Sequence, residues 1–478
     1  MLIVDAELEG ARIDLRIANG RVTAMAPFLK LLPGERCFDA RGGMILPGLH
    51  DHHIHLFGLA AALASVRCGD VSSAAGLASH LAGAGGEGWL RGIGYHESIA
   101  GELDRVWLDQ CGSARPIRIQ HRSGRLWVFN SRALEVLAEI DPELAPLERV
   151  AGRLSGRLYD GDAWLRECLR SIPPDLDSVS AQLAQHGITA VTDASFTNDA
   201  NVFASLAAAA GALAQDVKVM GDLSLASVCG RAGCDVGAYK IHLHDGSYPD
   251  PDACIAAIAA AHEASRGAAF HCVTESDLAF ALACIEAAGA SGADRIEHAA
   301  LTAPDQVRWL ADLGVRVVTQ PHFIAERGDA YLQDVPTKQH DWLYRARVFL
   351  DARAPLAFGS DAPYGGVNPW ASMQAAVTRA TPSGAILGAD ERLSPEQALR
   401  AYLSPLDDPG GAPRRIAVGA AADLCVLDRP WRAARADLAA AEVALTLKDG
   451  APIHGSIASI NPQASAVFAE MPRPESAQ

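Results

Sequence analysis

The chain lacks long uncharged apolar segments, cysteine pairs at metal-binding spacing and any excess of basic residues. No window reaches the roughly 18 apolar residues of a membrane-spanning helix, and the first residues do not resemble a secretory signal. Ten cysteines are scattered without a CxxC pair, which favours reduced thiols in the cytoplasm over disulfides or structural zinc. The net charge of −16 argues against nucleic acid or an anionic membrane as the main partner.

What the chain does have is the composition of a large globular protein. Of its 478 residues, 49 % are apolar and 21 % are charged, which is enough for a sizeable core. We therefore interpret the acidity as a source of solubility. The expected partner is a small-molecule substrate. The sequence leaves open whether the chain forms a homo-oligomer.

The two ends of the chain have the pattern of short strands. Residues 12–25 alternate apolar and polar positions on both sides of Asn19-Gly20, a strong hairpin signal. Residues 421–428 and 442–455 repeat that pattern, with a turn at Asp449-Gly450. We expect the two ends to pair into one small β-sandwich domain; two unrelated edge hairpins are the alternative.

The middle of the chain alternates short apolar runs with alanine-rich helical stretches. The eight runs lie at 44–49, 188–195, 217–223, 238–244, 268–274, 295–300, 315–321 and 354–363. Strands that alternate with helices predict a parallel sheet, and eight such units can close a (β/α)₈ TIM-like barrel. An open doubly wound sheet is the competing architecture, but no glycine-rich fingerprint follows the first strand.

The predicted fold class is therefore α/β, a TIM-like barrel with a β-sandwich domain. The interval between the first two strands far exceeds a normal connection, so we expect a helix-rich insertion at about 60–180, over the active-site mouth, with a strand at 116–120. The expected boundaries are 1–46 and 404–462 for the sandwich, 47–403 for the barrel and 463–478 for a disordered tail.

The stretch LPGLHDHHIH, residues 46–55, places four histidines in six positions. Alternate side chains of a strand face opposite sides. His50 with His52 is therefore one possible ligand pair, and His53 with His55 is the other. The stretch alone leaves both pairs open.

Other metal-ligating residue types lie at the ends of later strands. The active sites of such barrels lie at the carboxyl ends of the strands, and those ends carry Lys240, His271, His298 and Asp361. Histidine nitrogen and carboxylate oxygen are ligands of zinc or a similar divalent ion with open positions. Each residue alone is more often structural, but their joint placement predicts a metal site.

Several motifs resemble those of a known family. PGLHDHHIH (47–55) resembles the PGxxDxHxH signature of the amidohydrolase superfamily. YKIHLHDG, FHCVTESDL, RIEHA, QPHF, GSDAPYGGVNPWASMQAAVTRA and GAAADLCVLDRP are similar to its YtcJ-like branch, amidohydrolase family 3. The resemblance covers about residues 1–455. It implies that His53 and His55 are the ligands and that His50 and His52 face the other way.

The resemblance also implies the remaining ligands and the catalytic base. His53 and His55 would bind the more buried metal together with Asp361, while His271 and His298 would bind the second metal. Asp361 would also take a proton from water and pass it to the leaving nitrogen. The expected ions are two Zn²⁺, with Co²⁺ or Mn²⁺ as substitutes.

Lys240 resembles the lysine that is carboxylated in related members. A carbamate offers two anionic oxygens that can bridge two ions, whereas an ammonium repels them. An unmodified lysine at a single-metal site is the alternative. Here Asp245-Gly246 comes one residue later than in the family, and His244 stands at the expected acidic position. His242 or His244 could therefore shape the site or compete for metal.

Two further residues are candidate substrate contacts. Arg125, within HRSGRLWVFNSRAL (121–134), stands where the family has a substrate-side histidine. Either it holds an anionic or carbonyl-rich group, or it is a solvated or structural arginine. His322, after the seventh strand, either touches substrate or serves packing.

The expected function is metal-dependent hydrolysis of a C–N bond in an amide, formamide, carbamate or cyclic amide by metal-activated hydroxide. The aromatic residues Trp89, Tyr95, Trp127, Tyr364 and Trp370 suggest an apolar or aromatic substrate, although aromatic residues more often pack cores. One alternative is a deaminase of a ring amine with a single metal. The other is a non-catalytic metal- or ligand-binding module.

Overall fold

The computed structural model describes residues 1–112, 114–169, 175–209, 212–243 and 247–457. The chain forms two compact units. The larger consists of Met1–Leu56 together with the chain from Leu176 onward, and the smaller is Phe57–Asp175. Among the described residues, every helix is too short or too polar to cross a lipid bilayer.

Eight parallel strands form the central sheet of the larger unit. In chain order and in sheet order they are β1 (Leu49–Ile54), β2 (Ile188–Asp193), β3 (Asp216–Gly221), β4 (Cys234–His242), β5 (Ala268–Cys272), β6 (Arg295–His298), β7 (Arg316–Thr319) and β8 (Leu356–Phe358). Each strand pairs in parallel with the next. The residues after β8 return to β1: the Asp361 amide donates to the His53 carbonyl at 2.7 Å. The sheet is thus a nearly closed barrel, and the predicted TIM-like fold is confirmed.

Helices cover this sheet, so its strands are buried on both faces, as parallel sheets require. β1 and β2 are buried along their whole length. One helix begins at a capping box of Ser394 and Gln397. The α-helices of this unit are Asp177–Gln185, Ala200–Ala208, Pro251–Glu263, Glu275–Ala288, Pro304–Leu313, His322–Asp334, Arg347–Asp351, Pro369–Thr378, Pro395–Arg400 and Trp431–Ala434.

The predicted first barrel strand at 44–49 was wrong. Ile45–Pro47 pairs antiparallel with Leu424–Leu427 outside the barrel, and β1 begins only at Leu49. The chain passes from one sheet to the other at Gly48, where a Cβ would lie 2.2 Å from the Thr189 side chain. The histidines therefore lie within and just after the barrel strand.

The two chain ends form two four-stranded sheets. The first has the order Arg21–Ala26, Ala11–Ala18, Leu2–Leu8, Cys37–Asp39, and the second has the order Ala451–His454, Val443–Lys448, Leu424–Leu427, Ile45–Pro47. Both predicted two-residue turns are present, with positive φ at Asn19-Gly20 and at Asp449-Gly450. One apolar core contains Ile3 and Leu15 together with Leu424 and Leu445. Both ends therefore contribute to one core, while the domain boundaries stay predictions.

The smaller unit contains both helices and strands: the strand predicted at 116–120 is present as Ile117–His121, and its other strands were not predicted. Its main sheet has the order Arg157–Tyr159, Leu126–Phe129, Ile117–His121, Leu90–Tyr95, Val66–Arg67, and a separate pair is Arg149–Val150 with Arg153–Leu154. Its α-helices are Leu56–Leu63, Ala74–Ala82, Glu97–Ala100, Arg105–Asp109, Ser131–Ala138 and Asp162–Leu169. Val128 packs into one apolar cluster while Trp127 and Phe129 pack into another. Because Leu126–Phe129 is therefore apolar on both faces, it lacks the alternation that reveals a strand in sequence.

Candidate metal centre

The histidine cluster of β1 divides between the two faces of the strand. His53 Nε2 lies 3.4 Å and His55 Nε2 lies 3.0 Å from Asp361 Oδ1. On the other face, His52 Nε2 lies 3.1 Å from Ser404 Oγ and its ring makes an edge contact with His50. The structure therefore brings His53 and His55, rather than His50 and His52, to the carboxylate.

Together, His53, His55 and Asp361 offer three ligand atoms that lie within 4.8 Å of one another. Asp361 follows β8 in a left-handed backbone conformation with φ of 54°. Such a conformation persists only where the surroundings enforce it, and here its amide is bonded to the His53 carbonyl. The cluster thus forms where the barrel closes.

His271 and His298 extend this cluster across the barrel. They lie at or next to the ends of β5 and β6, and their ring centroids are 4.6 Å apart. The His298 ring is also 4.8 Å from that of His53. Four predicted imidazole ligands therefore form a continuous group at the ends of β1, β5 and β6.

Lys240, on β4, is 5 % exposed. Within the part of the chain that the structure describes, its Nζ has no hydrogen-bond partner. Burial lowers the pKa of this amine to about 8, against the opposing effect of the Glu297 carboxylate. An unpartnered buried amine is unfavourable, so the position fits a further group that would engage it.

The charge states of the cluster suit a cation. Burial lowers the pKa of His271, and it lowers that of His298 to about 3, so both rings are neutral, as a metal ligand must be. Burial opposes the charge of Asp361, but hydrogen bonds from His53 and His55 hold its pKa well below the usual value. A carboxylate beside the neutral imidazoles of His271 and His298 is a donor set for zinc or a similar divalent ion.

Three of the candidate ligand histidines are held at their second ring nitrogen by residues that the sequence analysis missed. His53 Nδ1 lies 2.5 Å from Glu297 Oε2, and His55 Nδ1 lies 2.8 Å from Ser195 Oγ. His298 Nδ1 lies 2.8 Å from Gln320 Oε1. Such partners orient a metal-ligating imidazole. The available sequence signal was the charged or polar residue beside each buried strand end, most clearly Glu297 in RIEHA.

His242 packs within the ring cluster. Its imidazole stacks on Phe196 with centroids 4.6 Å apart and lies 4.3 Å from the His271 ring. His244, Asp245 and Gly246 lie outside the described residues, so their predicted effect on the site stays a prediction.

The two candidate substrate contacts are engaged within the protein. His322 is buried, with Nδ1 3.1 Å from Ser372 Oγ and Nε2 2.9 Å from the Ser360 carbonyl, which favours the packing alternative. In the smaller unit, Arg125 forms an exposed ion pair with Asp160, with an N···O distance of 2.7 Å. That contact favours the solvated alternative for Arg125.

The aromatic residues named from sequence have different surroundings. Tyr95, Trp127 and Trp370 are buried in apolar packing, and Trp89 packs against an apolar cluster. Tyr364 is 63 % exposed and makes an edge contact with the His55 ring. Phe196, which the sequence analysis did not single out, is 46 % exposed beside His242.

The chain is similar to known proteins over most of its length. The model of the amidohydrolase family matches residues 36–454. An N-substituted formamide deformylase from Arthrobacter pascens is 27 % identical over 519 residues, covering 94 % of this chain and 95 % of the relative.

Solved structures share the fold. A metal-dependent hydrolase from Pyrococcus horikoshii aligns with a TM-score of 0.74 and 21 % identity, covering 95 % of this chain and 99 % of the other. Atrazine chlorohydrolase TrzN from Arthrobacter aurescens, complexed with zinc, aligns with a TM-score of 0.57 and 14 % identity, covering 98 % of both chains. Since the family model spans most of the sequence, the chain belongs to the amidohydrolase family and is a hydrolase that acts on carbon–nitrogen bonds.

Proposed function

We propose that the protein hydrolyses the C–N bond of a small amide or formamide at a centre of two divalent ions. Carbamates and cyclic amides belong to the same class of proposed substrates. The observation that carries the proposal is the grouping of His53, His55 and Asp361, whose ligand atoms lie within 4.8 Å of one another. The site lies at the carboxyl ends of the barrel strands, where the active sites of this fold are built.

The residues present fit two ions. His53, His55 and Asp361 would hold one ion, and His271 with His298 would hold the second. A carboxylated Lys240 would bridge them, and the unpartnered buried Nζ supports this assignment. When bound, such ions polarise the substrate carbonyl and lower the pKa of a water molecule.

Asp361 is the proposed catalytic base. Its Oδ1 faces His53 and His55, and its Oδ2 lies 4.0 Å from His298 Nδ1. The carboxylate is anionic at neutral pH because the neighbouring rings stabilise its charge. It would accept the proton of the attacking water and deliver that proton to the leaving nitrogen.

Exposed aromatic rings support an apolar or aromatic substituent on the substrate. Phe196 follows β2 and Tyr364 follows β8, next to the rings of His242 and His55 respectively. Both would gain apolar contact with a bound substituent. The Arthrobacter pascens relative is named for N-substituted formamides, so this class is the first to test.

The proposal is tested with His53→Ala and Asp361→Ala proteins, measured for metal content and for turnover of N-substituted formamides and amides. Folding is checked by circular dichroism. Both variants should lose bound metal and activity together. His50→Gln is the matched control, because His50 lies on the opposite face of the same strand, and it should retain both.

Folded Asp361→Ala protein with metal and activity would refute the site. A wild-type content of one ion per chain would instead favour the single-metal deaminase. If a broad screen with metal-loaded protein finds no turnover, the non-catalytic alternative holds.

A further inference from the structure

A buried carboxylate that the proposed chemistry does not use lies behind one metal ligand. Glu297 is 0 % exposed on β6. Its Oε2 lies 2.5 Å from His53 Nδ1, on the side of the ring away from Asp361. A buried carboxylate is costly unless it is paired and hydrogen-bonded, so its partners determine its role.

Arg295 is the ionic partner of Glu297. Its Nε donates to Glu297 Oε1 at 2.5 Å, and its Nη2 donates to Oε2 at 3.0 Å. The same Nη2 donates to the His52 carbonyl at 2.7 Å. The guanidinium therefore neutralises the carboxylate and ties it to the backbone of β1, beside His53.

This arrangement fixes the tautomer of His53. An anionic carboxylate accepts hydrogen bonds only, so Nδ1 must carry the proton and donate it. With a cation bound, the lone pair of Nε2 would be directed to it on the Asp361 side; without one, Nε2 also carries a proton and faces Asp361 Oδ1 at 3.4 Å. Ser195 and Gln320 occupy the corresponding positions behind His55 and His298, but neither carries a charge.

We propose that Glu297, held by Arg295, is the positioning residue that orients His53 and strengthens it as a metal ligand. The inference rests on the proposed function, in which His53 is a metal ligand. Both oxygens of Glu297 are occupied by Arg295 and His53, so Glu297 acts through His53 and is not itself a ligand. If Glu297 served only in a structural ion pair, it would need Arg295 as a partner but not the contact with His53.

The test is the metal affinity of Glu297→Gln protein, measured by competition with a chromophoric zinc chelator. Glutamine keeps the shape of the side chain and can accept from Nδ1, but it lacks the charge. We expect zinc affinity to fall by about 10- to 100-fold, the usual cost of losing such a partner.

Glu391→Gln is the matched control. Glu391 is also buried, is paired with Arg345 at 2.7 Å, and accepts from the amides of Ala346 and Val348. Its loss should lower the stability of the protein to urea without changing its affinity for zinc. Any general effect of breaking a buried Arg–Glu pair is thereby measured separately.

Unchanged zinc affinity in folded Glu297→Gln protein would overturn the inference. An equal loss in Glu391→Gln protein would also overturn it, because the effect would then be structural. If Glu297→Gln protein does not fold, Arg295→Lys protein is measured against the same control and under the same criteria. Retention of zinc by His53→Ala protein would instead refute the proposed metal centre itself.

Discussion

The Nε2 atom of His55 lies 3.0 Å from Oδ1 of Asp361, although 306 residues separate them in the chain. His55 directly follows β1 and Asp361 follows β8, the two strands between which the barrel closes. The His55 amide also donates to the Ala362 carbonyl at 2.9 Å. Closure of the barrel and assembly of the candidate metal centre are therefore the same structural event.

The first prediction concerns the base. Asp361→Asn keeps the shape of the side chain but removes its ability to take a proton at neutral pH. We expect kcat to fall by about 100- to 10,000-fold, the usual contribution of a positioned acid–base group. Steady-state kinetics with an N-substituted formamide provide the measurement. A kcat within tenfold of wild type would exclude Asp361 as the base.

The second prediction concerns Lys240. Lys240→Ala protein should lose the bridging group, with activity lower by more than about 100-fold. A short carboxylate such as acetate fits the space of a carbamate and should restore part of the activity. Assays with and without acetate measure this effect, with Lys218→Ala as a control on a different strand. Full activity of Lys240→Ala protein without acetate would exclude a bridging role.

The third prediction concerns metal and stability. A metal that binds only the folded protein stabilises it by about 2.7 kcal/mol at a free concentration near 100 times Kd. Chelator treatment should therefore lower Tm by a few degrees, and added zinc should restore it. Calorimetry of wild-type and His53→Ala proteins tests this. An equal response of both proteins would show that zinc acts elsewhere.

The fourth prediction concerns substrate preference. Phe196→Ala should raise KM about tenfold for formamides with a large aromatic N-substituent and leave N-methylformamide almost unchanged, since lost apolar contact affects only the former. Phe28→Ala is the control, because Phe28 is an equally large exposed ring outside the barrel, 61 % exposed. Similar KM changes for both substrates would rule out a role of Phe196 in selecting the substituent.

The sequence by itself determined the local features of this protein. Short apolar runs that alternate with helical stretches predicted the barrel. Asn19-Gly20 and Asp449-Gly450 predicted their hairpins. Both signals can be read from sequence because turn chemistry and periodicity act over a few residues. The resemblance named His53 and His55 because it fixed their places in a motif. In the smaller unit the strand predicted at 116–120 is present, but other strands were missed, such as Leu126–Phe129, which packs apolar side chains on both faces and so lacks the alternation of a half-buried strand.

Only the tertiary structure decided which partners each candidate ligand has. The contacts of His53 with Glu297, of His55 with Ser195 and of His298 with Gln320 join different strands of one closed sheet. Short-range periodicity carries no information on which residues meet across a barrel. Register and closure set those contacts, and they arise only when all eight strands pack together.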